Sequence, residues 1–277
     1  MMLPTSEKPG STERLPSEYT IKIAVSGAYG KMGGLLIENI LKSNGLQLTA
    51  AIVANIDKGK NLNIGSTPIL GVKDIDACLE KLKPDVLLDF TTASASVENV
   101  KAAARNRVNI VIGTTGFTGE QQSDIERTIK EADIAAVISP NFSIGVHVFW
   151  GLLGRVAGLL PDYDIEIIEA HHNRKKDAPS GTAVKASELL SKTAGGKSFI
   201  YGRHGLSPRQ KEIGIHAVRG GDIAGDHTVL FAGVGERLEI KHLAHSRQAF
   251  ASGAILAARW VAKAPGGVYS MKDVLGI

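Results

Sequence analysis

The sequence predicts an α/β domain with a doubly wound parallel sheet, joined to an α+β domain with a mostly antiparallel sheet. Between residues 21 and 140, short Val- and Ile-rich runs alternate with longer amphipathic stretches; beyond 144 such runs follow one another with a single helical stretch between them. A chain of 277 residues with 43% hydrophobic content can bury a core for each part.

Residues 1–19, "MMLPTSEKPGSTERLPSEY", lack an apolar centre and are rich in Pro, Ser and Thr, so they read as a flexible tail. Three glutamates there argue against a transit peptide. The domain over 20–141 takes its strands from "IKIAV", "LQLTAAIV", "DVLLDF", "NIVIG" and "IAAVIS", whose β-branched, apolar character suits buried strands. Helices over 31–43, 73–82, 94–106 and 119–132 separate them. Each strand–helix–strand unit is then a crossover, which makes the sheet parallel and covers both its faces. A domain over 142–250 follows. It opens with an apolar helix over 144–160 and continues through "DIEIIEAHH", "SFIYGRHG", "EIGIHAVRGG", "HTVLFAG" and "ERLEIKHLAHS", with one helix over 181–193. These runs alternate in and out, as antiparallel strands with one wet face do. In the last segment, 251–277, the amphipathic helix "ASGAILAARWVAK" returns to the first domain.

Composition narrows the functional classes. Thirty-two Lys plus Arg against 28 Asp plus Glu give a net charge of +4 without basic runs, and aromatics are only 5%, so nucleic acid is not an expected partner. No apolar run reaches the ~18 residues of a membrane helix, so no membrane partner is expected. The single cysteine, Cys78, excludes an intrachain disulfide and a cysteine-built metal cluster, and suits the cytoplasm.

The stretch "VSGAYGKMGGLL" stands where a strand turns into a helix, with Gly27, Gly30 and Gly33 spaced G-x-x-G-x-x-G. The first glycine permits the turn, the second lets backbone approach a pyrophosphate, and the third lets the helix sit close to the strand. Phosphate charge then meets free N–H groups and the positive end of the helix dipole. A flexible connection with incidental glycines is the bland alternative, and the strand-to-helix position favours a nicotinamide dinucleotide. An acid about 20 residues further on would bind the ribose 2′-hydroxyl of NAD. Here Val53 and Ala54 hold that place, Asp57 lies beyond the strand end, and Lys31, Lys58 and Lys60 could neutralise a 2′-phosphate. The cofactor is therefore read as NADPH or NADH, with NADPH favoured. "DFTT" at 89–92, which includes Phe90, and "GTTG" at 113–116 sit at carboxyl ends of strands, where doubly wound sheets bind ligands.

The second signal is "EAHHNRKKDAPSGTA", residues 169–183. Pro179 and Ser180 precede a helix starting near Gly181 and Thr182, so unpaired N–H groups make a second anion site beside His172, Lys175 and Lys176. A small carboxylate substrate fits, because it accepts from helix-start N–H groups and from cations alike. His171 suits general acid–base work, and Lys175 can supply a proton or a fixed charge. A solvated polar loop is the competing reading; the histidine pair, the lysine and the helix start together favour a site. Adjacent histidines with no acid or cysteine at a chelating interval predict no metal. His204, His216, His227, His242 and His245 are scattered and are read as structural.

In order and spacing, "SGAYGKMG", "DFTT", "GTTG", "PNFSIGV", "EIIEAHHNRKKDAPSGTA" and "RGGDIAGDHTVLFAG" resemble the 4-hydroxy-tetrahydrodipicolinate (dihydrodipicolinate) reductases over residues 20–277. The resemblance implies NAD(P)H-dependent reduction of a cyclic unsaturated dicarboxylate to tetrahydrodipicolinate, with loss of water, in diaminopimelate and lysine biosynthesis. It implies that His171 is the proton donor or acceptor and Lys175 the proton donor, with His172, Gly181 and Thr182 on the substrate. It further implies cofactor contacts from Gly27, Ala28, Tyr29, Gly30, Lys31, Met32, Gly113, Thr114, Thr115, Ser139, Pro140, Asn141 and Phe142, and a homotetramer joined through the sheets of the second domain. Tyr29 stands where some members carry glycine. Two other classes remain: a non-catalytic nicotinamide-binding sensor, which would lose His171 or Lys175, and a semialdehyde dehydrogenase-like enzyme, which needs a cysteine nucleophile. Cys78 lies in a predicted helix, far in sequence from the cationic loop.

Overall fold

The computed structural model describes residues 20–53, 62–64, 67–69, 71–72 and 75–277. The expectations for residues 1–19 and for Ala54, Asp57, Lys58 and Lys60 lie outside these residues.

The first sheet is built from β1 (Ile21–Ser26), β2 (Leu46–Ile52), β5 (Gly71–Val72), β6 (Val86–Asp89), β7 (Asn109–Ile112), β8 (Ala135–Ile138) and β14 (Gly267–Tyr269). Its order is β14-β8-β7-β6-β1-β2-β5, and every neighbouring pair runs parallel. From β1 the chain winds outward through β2, then returns to place β6 on the other side of β1. The order therefore reverses between β1 and β6, and the carboxyl ends of those two strands open a crevice. A small antiparallel pair, β3 (Leu62–Ile64) and β4 (Thr67–Ile69), precedes β5.

Alternate residues of each strand feed opposite faces. Ile23 and Val25 pack with Leu36, Ile37 and Ile40 of α1 (Lys31–Lys42) and with Ala254, Ala258 and Val261 of α7 (Gln248–Val261). Ala24 and Leu87 pack on the other face with α2 (Ile75–Leu82), α3 (Ala93–Arg105) and α4 (Gly119–Ala132), through Leu79, Val100, Ala103, Ile125 and Ile129. The predicted return of the last helix is thus a packing layer of the first sheet. That segment holds more than a helix: α7 ends at Val261, β14 joins the sheet edge from Gly267 on, and α8 (Met271–Leu275) follows it. Cys78 is buried in α2 among core side chains.

The second sheet, in the order β10-β11-β9-β12-β13, combines β9 (Asp164–His171), β10 (Phe199–Tyr201), β11 (Ile213–Arg219), β12 (Asp226–Ala232) and β13 (Arg237–Leu243). β12 runs antiparallel to β9 and β13, whereas β10, β11 and β9 run parallel, so the sheet is mixed. The parallel half follows from connectivity: α6 (Gly181–Thr193) carries the chain from the end of β9 back to β10, a crossover that sequence alternation cannot distinguish from a hairpin. One face packs Ile165, Ile167, Val229 and Phe231 against α5 (Ile144–Leu159) and α6. The other leaves Ile168, Val218 and Leu243 exposed.

Candidate active site

The crevice between β1 and β6 begins with the glycine turn. Gly27 has φ +85°, a left-handed conformation that favours glycine, and a Cβ there would overlap the Phe90 carbonyl oxygen. A Cβ on Gly33 would overlap the Gly27 carbonyl oxygen, so α1 can lie this close to β1 only with glycine at that position. Gly30 caps α1 without a side-chain acceptor, and the first turn carries no acid. Its N–H groups and dipole are thereby left for an outside anion, and the turn fits a dinucleotide pyrophosphate. A cleft of about 490 Å³ is lined by Gly27, Tyr29, Gly30, Phe90 and Thr91. Ala28 and Met32 turn their side chains into the core, while Lys31 is exposed at the first residue of the helix.

Beneath this turn lies Asp89, fully buried, which accepts hydrogen bonds from Ser96, from Thr91 Oγ1 (2.6 Å) and from Asn99 Nδ2 (3.0 Å). Burial raises its carboxyl above the usual range, against the pull of those three donors. Asn99 also donates to Ser26 Oγ at 3.1 Å, tying the end of β1 to α3. The next strand ends are linked as well: the Thr91 N–H donates to Thr114 Oγ1 at 3.0 Å. The Phe90 ring lies where a Cβ of Gly113 would stand, and meets Phe142 with ring centroids 5.5 Å apart. Phe142 is buried, so its side chain supports the crevice from the core.

Thr115, Ser139, Pro140 and Asn141 open instead onto a larger cavity of about 860 Å³. Its opposite wall carries His171, His172, Lys175, Gly181 and Thr182, so the fold brings the expected substrate residues to the strand ends of the first sheet. Asn141 spans the two parts: its Oδ1 accepts from the Ser143 N–H at 2.8 Å, and its Nδ2 donates to Thr182 Oγ1 at 3.3 Å. Ser180 caps α6 by accepting from the Ala183 N–H at 3.2 Å, leaving Gly181 and Thr182 as the first helical residues on the cavity wall. Lys175 pairs with Asp177 at 2.9 Å. Partial burial, with the positive charges of Arg174 and Arg247, depresses the His172 imidazole.

Glu169 organises this wall and was not singled out by sequence reading. Its carboxylate is completely buried and accepts from His171 Nδ1 (2.7 Å), from the Ser180 N–H (2.9 Å) and from both terminal nitrogens of Arg219 (2.8 and 2.7 Å). Burial alone would raise the carboxyl; the Arg219 guanidinium, the His171 ring and the Ser180 N–H outweigh it and hold Glu169 below the usual range. An ionised carboxylate can only accept, so His171 Nδ1 carries the proton of that bond and Nε2 is left as the working nitrogen. Gly225 lies beside that nitrogen: a Cβ there would stand 2.9 Å from His171 Nε2. Strand parity held a clue, since Glu169 is two residues from His171 and must share its inward face. Arg219 and Gly225 fall within "RGGDIAGDHTVLFAG", a stretch that carried the resemblance without marking a role for either.

His227, read as structural from sequence, packs its ring edge-to-face on His171 with centroids 5.2 Å apart. Among the described residues, no group of three His, Cys, Asp or Glu side chains is arranged to hold a metal, and no helix is long and apolar enough to cross a membrane.

Two family models match nearly the whole described chain: "Dihydrodipicolinate reductase, N-terminus" over residues 21–142 and "Dihydrodipicolinate reductase, C-terminus" over 145–275. A protein of Methanosarcina barkeri named 4-hydroxy-tetrahydrodipicolinate reductase is 53% identical over 262 residues, covering 93% of this chain and 100% of that one. One of the same name from Methanocaldococcus jannaschii is 52% identical over 268 residues, covering 93% and 98%. The solved dipicolinate-bound dihydrodipicolinate reductase of Paenisporosarcina sp. TG-14 superposes with a TM-score of 0.77 at 28% identity, over 92% of this chain and 99% of that one. An amine dehydrogenase of Mycobacterium smegmatis, at 14% identity and TM-score 0.57 over 92% of this chain and 96% of that one, shares the fold. With both family models aligned end to end on the two sheets, and relatives above half identity over almost their full length, the chain belongs to the dihydrodipicolinate reductase family.

Proposed function

We propose that the chain reduces 4-hydroxy-tetrahydrodipicolinate to tetrahydrodipicolinate with NAD(P)H, releasing water, as a step of diaminopimelate and lysine biosynthesis. The observation that carries this reading is the single cavity in which His171, held by Glu169, shares a wall with Lys175 and the start of α6, opposite Ser139 and Asn141. The reaction adds one hydride and one proton to a ring that carries two carboxylates. Bound nicotinamide supplies the hydride.

The chain's own residues do the rest. Gly27, Tyr29 and Gly30 line the cleft for the dinucleotide, with the free first turn of α1 on the pyrophosphate. Thr115, Ser139, Pro140 and Asn141 line the cavity at the nicotinamide end. A substrate carboxylate is met by the Gly181 and Thr182 N–H groups, the Thr182 hydroxyl, the His172 imidazole and the Lys175 ammonium, all on one wall. His171 Nε2 and the Lys175 ammonium are the proton-handling groups, and Glu169 stabilises the imidazolium when Nε2 is protonated. Fixing donor and acceptor in one cleft supplies orientation, worth ~7–11 kcal/mol in well-aligned intramolecular cases.

The finer parts of the reading are separate. NADPH is favoured over NADH, with Lys31 exposed at the head of α1 in support. A homotetramer joined through the second sheet is supported by Ile168, Val218 and Leu243 on its open face. Absorbance at 340 nm with synthase-generated substrate tests the activity, and comparison of His171→Gln and Lys175→Ala tests the proton roles. Unchanged kcat in both variants would remove the pair from the mechanism, and a strong NADH bias in kcat/KM would refute the preference.

A further inference from the structure

Ser180 is held at two atoms by two neighbouring strands. Glu169 on β9 and His227 on β12 are directly paired across the antiparallel ladder, so their side chains leave the same face of the sheet side by side. Glu169 Oε1 accepts the Ser180 N–H at 2.9 Å, and His227 Nε2 shares a hydrogen bond with Ser180 Oγ at 3.0 Å. Ser180 Oγ in turn accepts from the Ala183 N–H at 3.2 Å and closes the first turn of α6. All three grips are dry: Glu169, Ser180 and His227 are 0%, 2% and 4% exposed.

The His227 ring has little freedom. Besides His171 it faces Phe149 and His242, at centroid distances of 6.5 and 6.4 Å. Burial, then the positive field of His171, lowers its basicity, so the ring is neutral and bonds Ser180 as a neutral partner.

We infer that His227 is a positioning residue for substrate binding: it locks the Ser180 hydroxyl, and through it the first turn of α6, at the place where Glu169 also aims His171. The inference rests on the reading of Gly181 and Thr182 as the carboxylate-binding wall. One buried hydrogen-bonded group then sets two things at once, the direction of the free N–H groups of α6 and the packing surface behind the His171 ring. A residue that merely filled space would be replaceable by an aromatic ring of similar size.

The test measures the dissociation constant of pyridine-2,6-dicarboxylate in the presence of NADH, with steady-state kinetics alongside. His227→Phe is expected to raise that constant about tenfold, the size of a lost helix cap, with the loss falling on KM more than on kcat. His227→Gln, whose amide can reach Ser180 Oγ, should recover to within about threefold, and Ser180→Ala takes the place of the Phe variant as the loss probe if that one does not fold. Ser180→Ala should match His227→Phe, and the double variant should add nothing further. Dicarboxylate affinity in His227→Phe within twofold of the parent, or losses that multiply in the double variant, would overturn the inference. Hydrogen exchange of the amides of residues 181–184 decides the same point without substrate: faster exchange in His227→Phe but not in His227→Gln supports the lock, and equal rates refute it. Failure of the parent to oxidise NADH with substrate would sink the reductase reading and leave this exchange result standing on its own.

Discussion

Glu169 and Arg219 form a two-pronged ion pair, with both terminal guanidinium nitrogens within 2.8 Å of the buried carboxylate. Arg219 Nη2 also donates to the Asp177 carbonyl oxygen at 2.7 Å, so the pair tethers the cationic loop as well as the carboxylate that aims His171. It neutralises a charge that could not otherwise stay buried beside the site.

Glu169→Gln keeps the shape and loses the charge. It should lower kcat/KM about 10²-fold, because the His171 tautomer and imidazolium lose their partner. It should also destabilise the protein by about 3 kcal/mol near pH 7, since Arg219 is left uncompensated. Glu169 is held below its ordinary value of 4.5, so its contribution is present above that value and is lost as pH falls through the lowered folded one. The stability gap between parent and variant, read by urea unfolding, should therefore shrink as pH falls below 4.5.

His227 is displaced in the opposite sense for its type, from 6.5 down to about 3, chiefly by burial. Below 6.5 the unfolded chain takes up a proton that the folded chain refuses until about 3. This residue should therefore cost stability as pH falls across that window, by up to ~1.4 kcal/mol per pH unit. His227→Gln should give a flatter curve of unfolding free energy between about pH 6 and pH 4. Parallel curves would mean that the imidazole titrates freely.

Gly33→Ala places a methyl group on the Gly27 carbonyl oxygen, which is backbone and cannot swing aside. The helix must move off the strand, at about 1–3 kcal/mol of stability. NADH titration by fluorescence should show affinity reduced at least about tenfold; an unchanged titration would contradict the placing of the pyrophosphate on this turn.

Gly225→Ala should act on His171 alone. Its Cβ would lie 2.9 Å from Nε2, at a residue with φ +155°. A displacement of the ring by a fraction of an ångström should lower kcat about 10²-fold while leaving the dissociation constant for NADH unchanged. A matching loss of NADH affinity would instead indicate a disturbance reaching the first sheet.

Both the fold and the site were partly legible, for identifiable reasons. Runs such as "IKIAV" and "DVLLDF" declared themselves because strands covered on both faces are continuously apolar. β14 did not: three residues, Gly267–Tyr269, are too few to show a period, and their place in the sheet comes from pairing with β8. The mixed character of the second sheet was hidden in the same way, since in-out alternation is shared by parallel and antiparallel strands exposed on one face.

By itself the sequence determined the chemistry on offer: a glycine turn for phosphate, and a loop in which His171, His172 and Lys175 run straight into the start of a helix at Gly181. These are local matters, settled by residues within a turn or two of each other. Only the tertiary structure decided that Arg219, 50 positions from Glu169, would neutralise it, that Gly225 and His227 would close around His171 and Ser180, and that Asn141 would reach Thr182. Those partners are chosen by burial: a carboxylate or a hydroxyl removed from water must find its hydrogen bonds among whatever the strands bring alongside, and strand order is a property of the folded sheet rather than of neighbouring residues.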